Sequence, residues 1–159
     1  MLFIGFTSAY IVRRSAGDWR PLAAPAILWA NTAVLLASSF VLERSRARVK
    51  RADLLGARGF LLGAGLLGLG FLLGQVQAWK ALAAQGLFLS SGPHSAFFYL
   101  LSGVHLVHIL GGLVWLAVAL VALWRSPLAA SGRRLSLLAT YWHFLAAVWL
   151  YLLLLLFVL

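Results

Sequence analysis

Four histidines are the side chains in this sequence best suited to holding a heme or a metal ion. His105 and His108 are three residues apart, so they share one face of a helix. His143 lies in a later apolar segment, at a depth similar to that of His108 if each residue rises about 1.5 Å. Two imidazoles on neighbouring helices can ligate a b-type heme or copper. The simpler interpretation is a hydrogen-bonded contact between packed helices, which contributes about 0.6 kcal/mol in a membrane.

Acidic residues are too few to build a catalytic site. The chain has 13 Lys and Arg but only three acids, Asp18, Glu43 and Asp53, and none lies inside an apolar segment. A serine triad needs an orienting carboxylate, and proton or ion pathways usually need charged groups within the membrane. The lack of cysteine excludes disulfides, thiolate metal sites and a cysteine nucleophile. We therefore predict that this chain carries no catalytic residues of its own.

The elements that position the histidines must be membrane helices. Of the 159 residues, 64% are hydrophobic and 10% are charged, and the mean hydropathy is +0.99, whereas a soluble domain is about 25% charged. The apolar blocks predict an all-α integral membrane bundle in one domain, 1–159, with five transmembrane helices. We place these helices at 1–12, 22–42, 59–79, 95–124 and 135–159. Twelve residues rise only about 18 Å, so the first is either the second half of a spanning helix, clipped in this sequence, or a half-inserted helix.

The basic residues predict the orientation of the bundle. Alternate loops share a side of the membrane, and one side receives nine Lys and Arg while the other receives four. By the positive-inside rule the nine belong in the cytoplasm. The N-terminus is then cytoplasmic and the C-terminus is outside. The net charge of +10 is explained by this placement, without a nucleic-acid partner.

Glycines and polar side chains mark where helices approach one another. Gly59 with Gly63, and Gly70 with Gly74, have the GxxxG spacing that allows close helix packing. Gly103, Gly111 and Gly112 could make room for a heme or serve the same packing role.

Two segments combine histidines and aromatic residues at fixed spacings. From Ser95 to Gly112 the sequence reads a small residue, x-Phe-Phe, then Ser-Gly-x-His-x-x-His and Gly-Gly. The second segment is Tyr141-Trp142-His143-Phe144, followed by Val148-Trp149. In this order the two segments resemble the last two helices of heme–copper oxidase subunit III. The opening residues 1–10 are similar to the second half of the helix that begins the family's five-helix form. The similarity therefore covers nearly the whole chain.

The resemblance implies a non-catalytic subunit of a respiratory terminal oxidase in the bacterial cytoplasmic membrane. Hemes and copper would lie in partner subunits, with no cofactor in this chain. Its partners would be subunit I, subunit II, a small subunit IV and structural phospholipids, and it would support assembly, proton uptake and sustained turnover.

The site residues fall into two groups. A structural polar cluster between the last two helices would comprise Ser102, His105, His108, Tyr141, Trp142 and His143. Contacts to lipid or to another subunit would be made by Tyr10, Asn31, Gln75 and Trp149.

Two departures from the family pattern limit what is carried over. The family usually has a Glu just before the position of Met1, and that acid is absent here. It also often has an Asp where this chain has Ala146, so we expect no carboxylate beside His143. Two other functions stay open: an accessory subunit of a nitric oxide reductase, and a membrane b-type cytochrome with His108 and His143 as heme ligands.

Overall fold

A computed structural model describes residues 2–14, 26–88, 92–125 and 128–157. Each of these ranges is mainly helical. The five helices are α1 (Leu2–Arg14), α2 (Ala26–Lys50), α3 (Leu54–Ala84), α4 (Pro93–Arg125) and α5 (Leu128–Phe157). Of the predicted helices, residues 1, 22–25 and 158–159 lie outside the described residues. The predicted all-α bundle is confirmed.

Four of these helices are long and apolar enough to cross a membrane, namely α2, α3, α4 and, from Gly132, α5. The first helix, α1, has 13 residues and therefore rises about 20 Å, less than the hydrocarbon thickness of about 30 Å. The described part of the chain thus has four candidate spans and one short helix, in line with the short first block of the sequence.

The helices extend beyond the predicted apolar blocks, and the bounds predicted for them are corrected accordingly. Arg44 to Lys50 were placed in a loop, but they continue α2, while Arg58 lies in α3 rather than before it. Lys80 likewise belongs to α3 and not to a loop. Arg, Lys, Glu and Ala are good helix formers, so the charged run marks the edge of the membrane and not the end of the helix.

A turn of three residues, 51–53, joins α2 to α3. Ala52 has a φ of 59°, the left-handed conformation that commonly ends a helix, and the Asp53 amide donates to the Arg48 carbonyl at 3.0 Å. Asp53 then caps α3 by accepting from the Gly56 amide at 2.9 Å. That hydrogen bond and the neighbouring Arg48 guanidinium lower the pKa of Asp53, so its carboxylate stays ionised.

The four long helices form a closed ring, in which α2 packs on α3, α3 on α4, α4 on α5 and α5 on α2. Short α1 lies outside this ring against α4, where Tyr10 meets Phe97 edge to face at 5.5 Å. Trp142 and Trp149, two turns apart on α5, are the two largest fully buried side chains. Each is the largest member of one of the two hydrophobic core clusters.

Arg58 ties the start of α3 to the end of α4. Its Nη2 donates to the Leu123 carbonyl at 2.8 Å, one of the carbonyls that have no partner within the helix. Its guanidinium also lies 4.0 Å from the centre of the Trp124 ring. A charge-assisted bond at a helix C-terminus and a cation–π contact therefore act at one site.

We expect Arg58→Ala to destabilise the chain by about 1–2 kcal/mol, because both contacts are lost. Thermal unfolding in detergent should show a midpoint lower by a few degrees. Arg133→Ala, which removes an exposed arginine at the same end of the bundle, is the matched control. Equal midpoints for the two variants would contradict the assigned role of Arg58.

Candidate functional site

The six side chains predicted as one polar cluster are divided among separate contacts. Ser102 is buried and accepts from Trp79 Nε1 at 3.1 Å. On the same part of the bundle, the Tyr99 hydroxyl donates to the Leu87 carbonyl at 2.9 Å. These bonds fix the C-terminal end of α3 and the residues that follow it against the start of α4, and they involve none of the other five members of the predicted cluster.

His105 lies in an aromatic cage at the centre of the bundle. It is fully buried and stacks on Trp149, with ring centroids 5.2 Å apart and planes inclined by 27°. Phe71 meets it edge-on at 5.9 Å. Neither ring nitrogen has a hydrogen-bond partner among the described residues. The ring therefore fills space between α3, α4 and α5 as an apolar group would.

A second polar group joins α2, α3 and α5 next to this cage. Trp149 Nε1 donates to Thr32 Oγ1 at 3.0 Å, and the Thr32 hydroxyl donates to the Leu28 carbonyl at 2.7 Å. Asn31 Nδ2 donates to Gln75 Oε1 at 3.4 Å. Buried amides and hydroxyls in a membrane bundle are expected to bond across helices in this way.

The contacts to lipid or another subunit predicted for Tyr10, Asn31, Gln75 and Trp149 are not available to these side chains. All four are buried inside the chain, and none is more than 4% exposed. The physical reason is the cost of a polar group in hydrocarbon, which turns amides and indole N–H groups toward other helices.

His108 and His143 do not form a ligand pair. The His108 ring is bonded through Nδ1 to the Val104 carbonyl of its own helix at 2.7 Å. Tyr141 reaches α4 separately, donating from its hydroxyl to the His108 carbonyl at 3.0 Å. His143 instead faces α2, where its Nδ1 bonds the Ser39 hydroxyl at 2.5 Å. The two imidazoles, predicted to lie at similar depth and to face one another, are held by different helices.

A carboxylate does lie beside His143, contrary to the expectation from Ala146. Glu43 of α2 places Oε2 at 3.5 Å from His143 Nε2 and also pairs with Arg46 at 3.1 Å. The acid is 100 residues away in sequence, so no local pattern on α5 could predict it.

The seven predicted packing glycines differ in what surrounds them. A methyl group on Gly74 would overlap the Asn31 amide, and one on Gly112 would lie 2.9 Å from the Trp142 ring. Gly63 and Gly70 face Val41 and Val34 at ordinary distances of 3.5 and 3.7 Å. The remaining three predicted positions have no close neighbour. A methyl group on Gly59 or Gly103 would have no atom within 4 Å, and one on Gly111 would lie 3.9 Å from the Tyr141 hydroxyl.

Trp142 is wedged between two glycines on facing helices. Gly68 of α3, like Gly112 of α4, would bring a methyl group to 2.9 Å from the indole ring. The ring therefore occupies a slot that exists only because both positions lack a side chain. Gly68 is outside the two GxxxG pairs, so its spacing does not predict that it faces Trp142. Nothing in the spacing of Thr32, Ser39 and Phe71 points to a neighbouring helix.

Comparison with known proteins shows to which family this chain belongs. The sequence profile described as cytochrome c oxidase subunit III matches residues 17–159. This chain belongs to the cytochrome c oxidase subunit III family. As a subunit III, it is a multi-pass membrane protein and a component of a terminal oxidase complex with other subunits.

Proteins named cytochrome c oxidase subunit 3 from several bacterial groups are similar to this chain. The probable cytochrome c oxidase subunit 3 of Mycobacterium tuberculosis is 32% identical over 155 residues, covering 94% of this chain and 76% of that protein. The corresponding Nocardia farcinica protein is 30% identical, with the same coverage. Cytochrome c oxidase subunit 3 of Synechocystis is 29% identical over 168 residues, covering 99% of this chain and 70% of the relative.

The histidine side chains take part in the packing of the bundle. Among the described residues no group of three or more His, Cys, Asp and Glu side chains could hold a metal ion. His143 bonds Ser39 of α2, whereas His108 bonds a carbonyl of its own helix and His105 packs on aromatic rings. What these side chains can do chemically is stabilise one packing of the bundle.

Proposed function

We propose that this chain is the non-catalytic subunit III of a bacterial terminal oxidase in the cytoplasmic membrane. It packs on the heme-bearing subunit I, beside subunit II and a small subunit IV, and holds phospholipid at the periphery of the complex. In this role it supports assembly, proton uptake and sustained turnover. The match to the subunit III profile over residues 17–159 is the observation that carries the proposal.

The packing of the bundle interior supports a role without a heme in this chain. The axis of the ring is filled by Trp142, Trp149, Phe71 and His105, each fully or almost fully buried. A macrocycle held between α4 and α5 would need His143 to turn away from Ser39 and Glu43 of α2. A structural role needs no such rearrangement.

The distribution of charge supports an N-terminus in the cytoplasm. Six basic residues, from Arg44 to Arg58, lie around the turn between α2 and α3, and Arg125, Arg133 and Arg134 lie at the same end of the bundle. The opposite end carries Lys80 on α3 and Arg13 and Arg14 on α1. The positive-inside rule places the richer end in the cytoplasm.

The outer face of α4 supports contact with another membrane helix. Gly111 is exposed, and Val107, Val114 and Val118 on the same side are 58–66% exposed. Small and β-branched side chains let a second helix approach closely and lose little rotamer freedom when it does. We assign this face to the contact with subunit I.

Purification through a C-terminal tag in mild detergent, followed by mass spectrometry and an optical spectrum, tests the proposal. We expect a large polytopic subunit with hemes to co-purify and the preparation to consume oxygen. Gly111→Val should reduce the yield of that subunit, because the added side chain holds a facing helix away. Phe144→Val, which alters an exposed position on α5, serves as the matched control.

Three results would contradict the proposal. A heme spectrum that stays with this chain after the other subunits are removed would favour the b-type cytochrome. Co-purification with a nitric oxide reductase and nitric oxide consumption would assign the chain to that complex. A colourless chain that retains no partner would contradict the oxidase role.

A further inference from the structure

A small recess lined by arginines lies where α2 meets α3. Arg44, Arg48 and Arg51 follow one another at spacings of four and three residues, so they line one face of the end of α2 and its turn. With Ala47 and with Phe60 from α3, they enclose about 90 Å³. Arg44, Ala47, Arg48 and Arg51 are all exposed.

The recess carries more positive charge than the protein itself neutralises. Arg48 is paired with Asp53, with 2.7 Å between Nη1 and Oδ2. Within residues 2–14, 26–88, 92–125 and 128–157, neither Arg44 nor Arg51 has an acidic partner. Two guanidinium charges are therefore left over.

Aromatic rings hold two of the guanidinium groups in place. Arg44 lies over Phe40, 4.7 Å from the ring centre, and Arg48 lies 5.6 Å from the centre of the Phe60 ring. A guanidinium on a ring face keeps the N–H groups at its edge available for an oxyanion. The N-terminus of α3 is not the anion site, because Asp53 already caps it.

The same face of α2 becomes apolar toward the middle of the membrane. Phe40 is 59% exposed and lies one turn below Arg44, and Leu36, a further turn below, is 44% exposed. Along this face an apolar stripe thus leads directly to a cluster of guanidinium groups. A phospholipid presents the complementary order, with acyl chains followed by a phosphate.

We propose that Arg44, Arg48 and Arg51 bind the phosphate of an anionic phospholipid, whose acyl chain lies along Leu36 and Phe40. The three arginines would bind an oxyanion. The exposed apolar stripe beside them favours the phosphate of a lipid over free phosphate. The inference deepens the lipid-holding part of the proposed function, on which it rests, by naming the headgroup class and the site.

Native mass spectrometry of the full chain, with the subunits it retains, can test this site. The samples are titrated in detergent with phosphatidylglycerol, phosphatidylcholine or inorganic phosphate. The test variant is Arg44→Gln/Arg51→Gln, which leaves the Arg48–Asp53 pair and the turn intact. Arg125→Gln/Arg133→Gln removes the same charge from exposed positions at the same end of the bundle and is the matched control.

We expect the wild-type chain to bind phosphatidylglycerol more tightly than phosphatidylcholine. Each guanidinium near an anionic headgroup contributes roughly fivefold to binding, so the test variant should lose roughly 25-fold in affinity for phosphatidylglycerol. Its affinity for phosphatidylcholine should be unchanged, and the control variant should stay within about twofold of wild type.

Equal losses in the two double variants would overturn the proposal, because they would show a general effect of surface charge. Equal binding of both lipids, or phosphate binding as tight as lipid binding, would also overturn it. The subunits retained in the same spectra separate this result from the proposed function. Selective lipid binding without oxidase subunits leaves the site standing and the proposed function contradicted, whereas oxidase subunits without lipid selectivity show the reverse.

Discussion

Gly112→Val should lower the melting temperature of the chain by roughly 10 °C. A β-carbon at this position would lie 2.9 Å from Cζ3 of Trp142 and 3.2 Å from Cε1 of Tyr141. The indole cannot move aside, since Gly68 brackets its other edge just as closely. Overpacking of this kind costs about 3 kcal/mol, and about 1 kcal/mol shifts the midpoint by roughly 2–4 °C in a chain of this size.

The neighbouring glycine provides the control for this prediction. Gly111→Val makes the same change in the same helix, but its β-carbon would meet only the Tyr141 hydroxyl, at 3.9 Å. Thermal unfolding of both variants of this chain, followed in detergent, should therefore give a normal midpoint for Gly111→Val and a much lower one for Gly112→Val. Similar midpoints would show that the slot around Trp142 is not a structural requirement.

Gly74→Ala should destabilise the chain by about 2 kcal/mol, although alanine is the better helix former. The new methyl group would overlap the side-chain amide of Asn31. Asn31 is only 4% exposed and is bonded to Gln75, so moving it leaves two amides unpaired in the bundle core. An unsatisfied buried polar group costs about 1–3 kcal/mol.

Gly70→Ala is the matched control, one turn earlier on the face of α3 that meets α2. Its methyl group would lie 3.7 Å from Val34 Cγ1, an ordinary contact, so the variant should gain up to about 1 kcal/mol of helix propensity. A double variant, Gly74→Ala with Asn31→Ala, removes the overlapping amide and should recover part of the loss, as a double-mutant cycle would reveal. Equal stability of the two single variants, or no recovery in the double variant, would contradict the assigned role of Gly74.

The helices could be predicted from the sequence because length and hydropathy suffice to identify a membrane span. The apolar blocks correctly gave an all-α bundle with a short first helix. They misplaced the join between α2 and α3, because Glu43 to Arg58 were interpreted as a loop of the kind that usually carries charge. Helix propensity continues past the membrane edge, so the two helices meet at residues 51–53.

The contacts between helices could not be predicted to the same extent. In a soluble helix the apolar face identifies the core, but here both the lipid and the bundle interior are apolar. Only small and polar side chains then mark the inward face, as Asn31 and Gln75 do. Which helix they meet depends on the rotation of every helix, and this is why Glu43 was not expected beside His143.

The three-residue turn between α2 and α3 also affects how the chain is made. A connection this short lets the two helices enter the bilayer together as a helical hairpin during synthesis. Their mutual interface is the most extensive in the bundle, and the bonds from Ser38 to the Ala64 carbonyl and from Ser45 to the Ala57 carbonyl need only these two helices. We expect the hairpin to form before α4 and α5 leave the ribosome, so that these two helices dock onto a preformed pair.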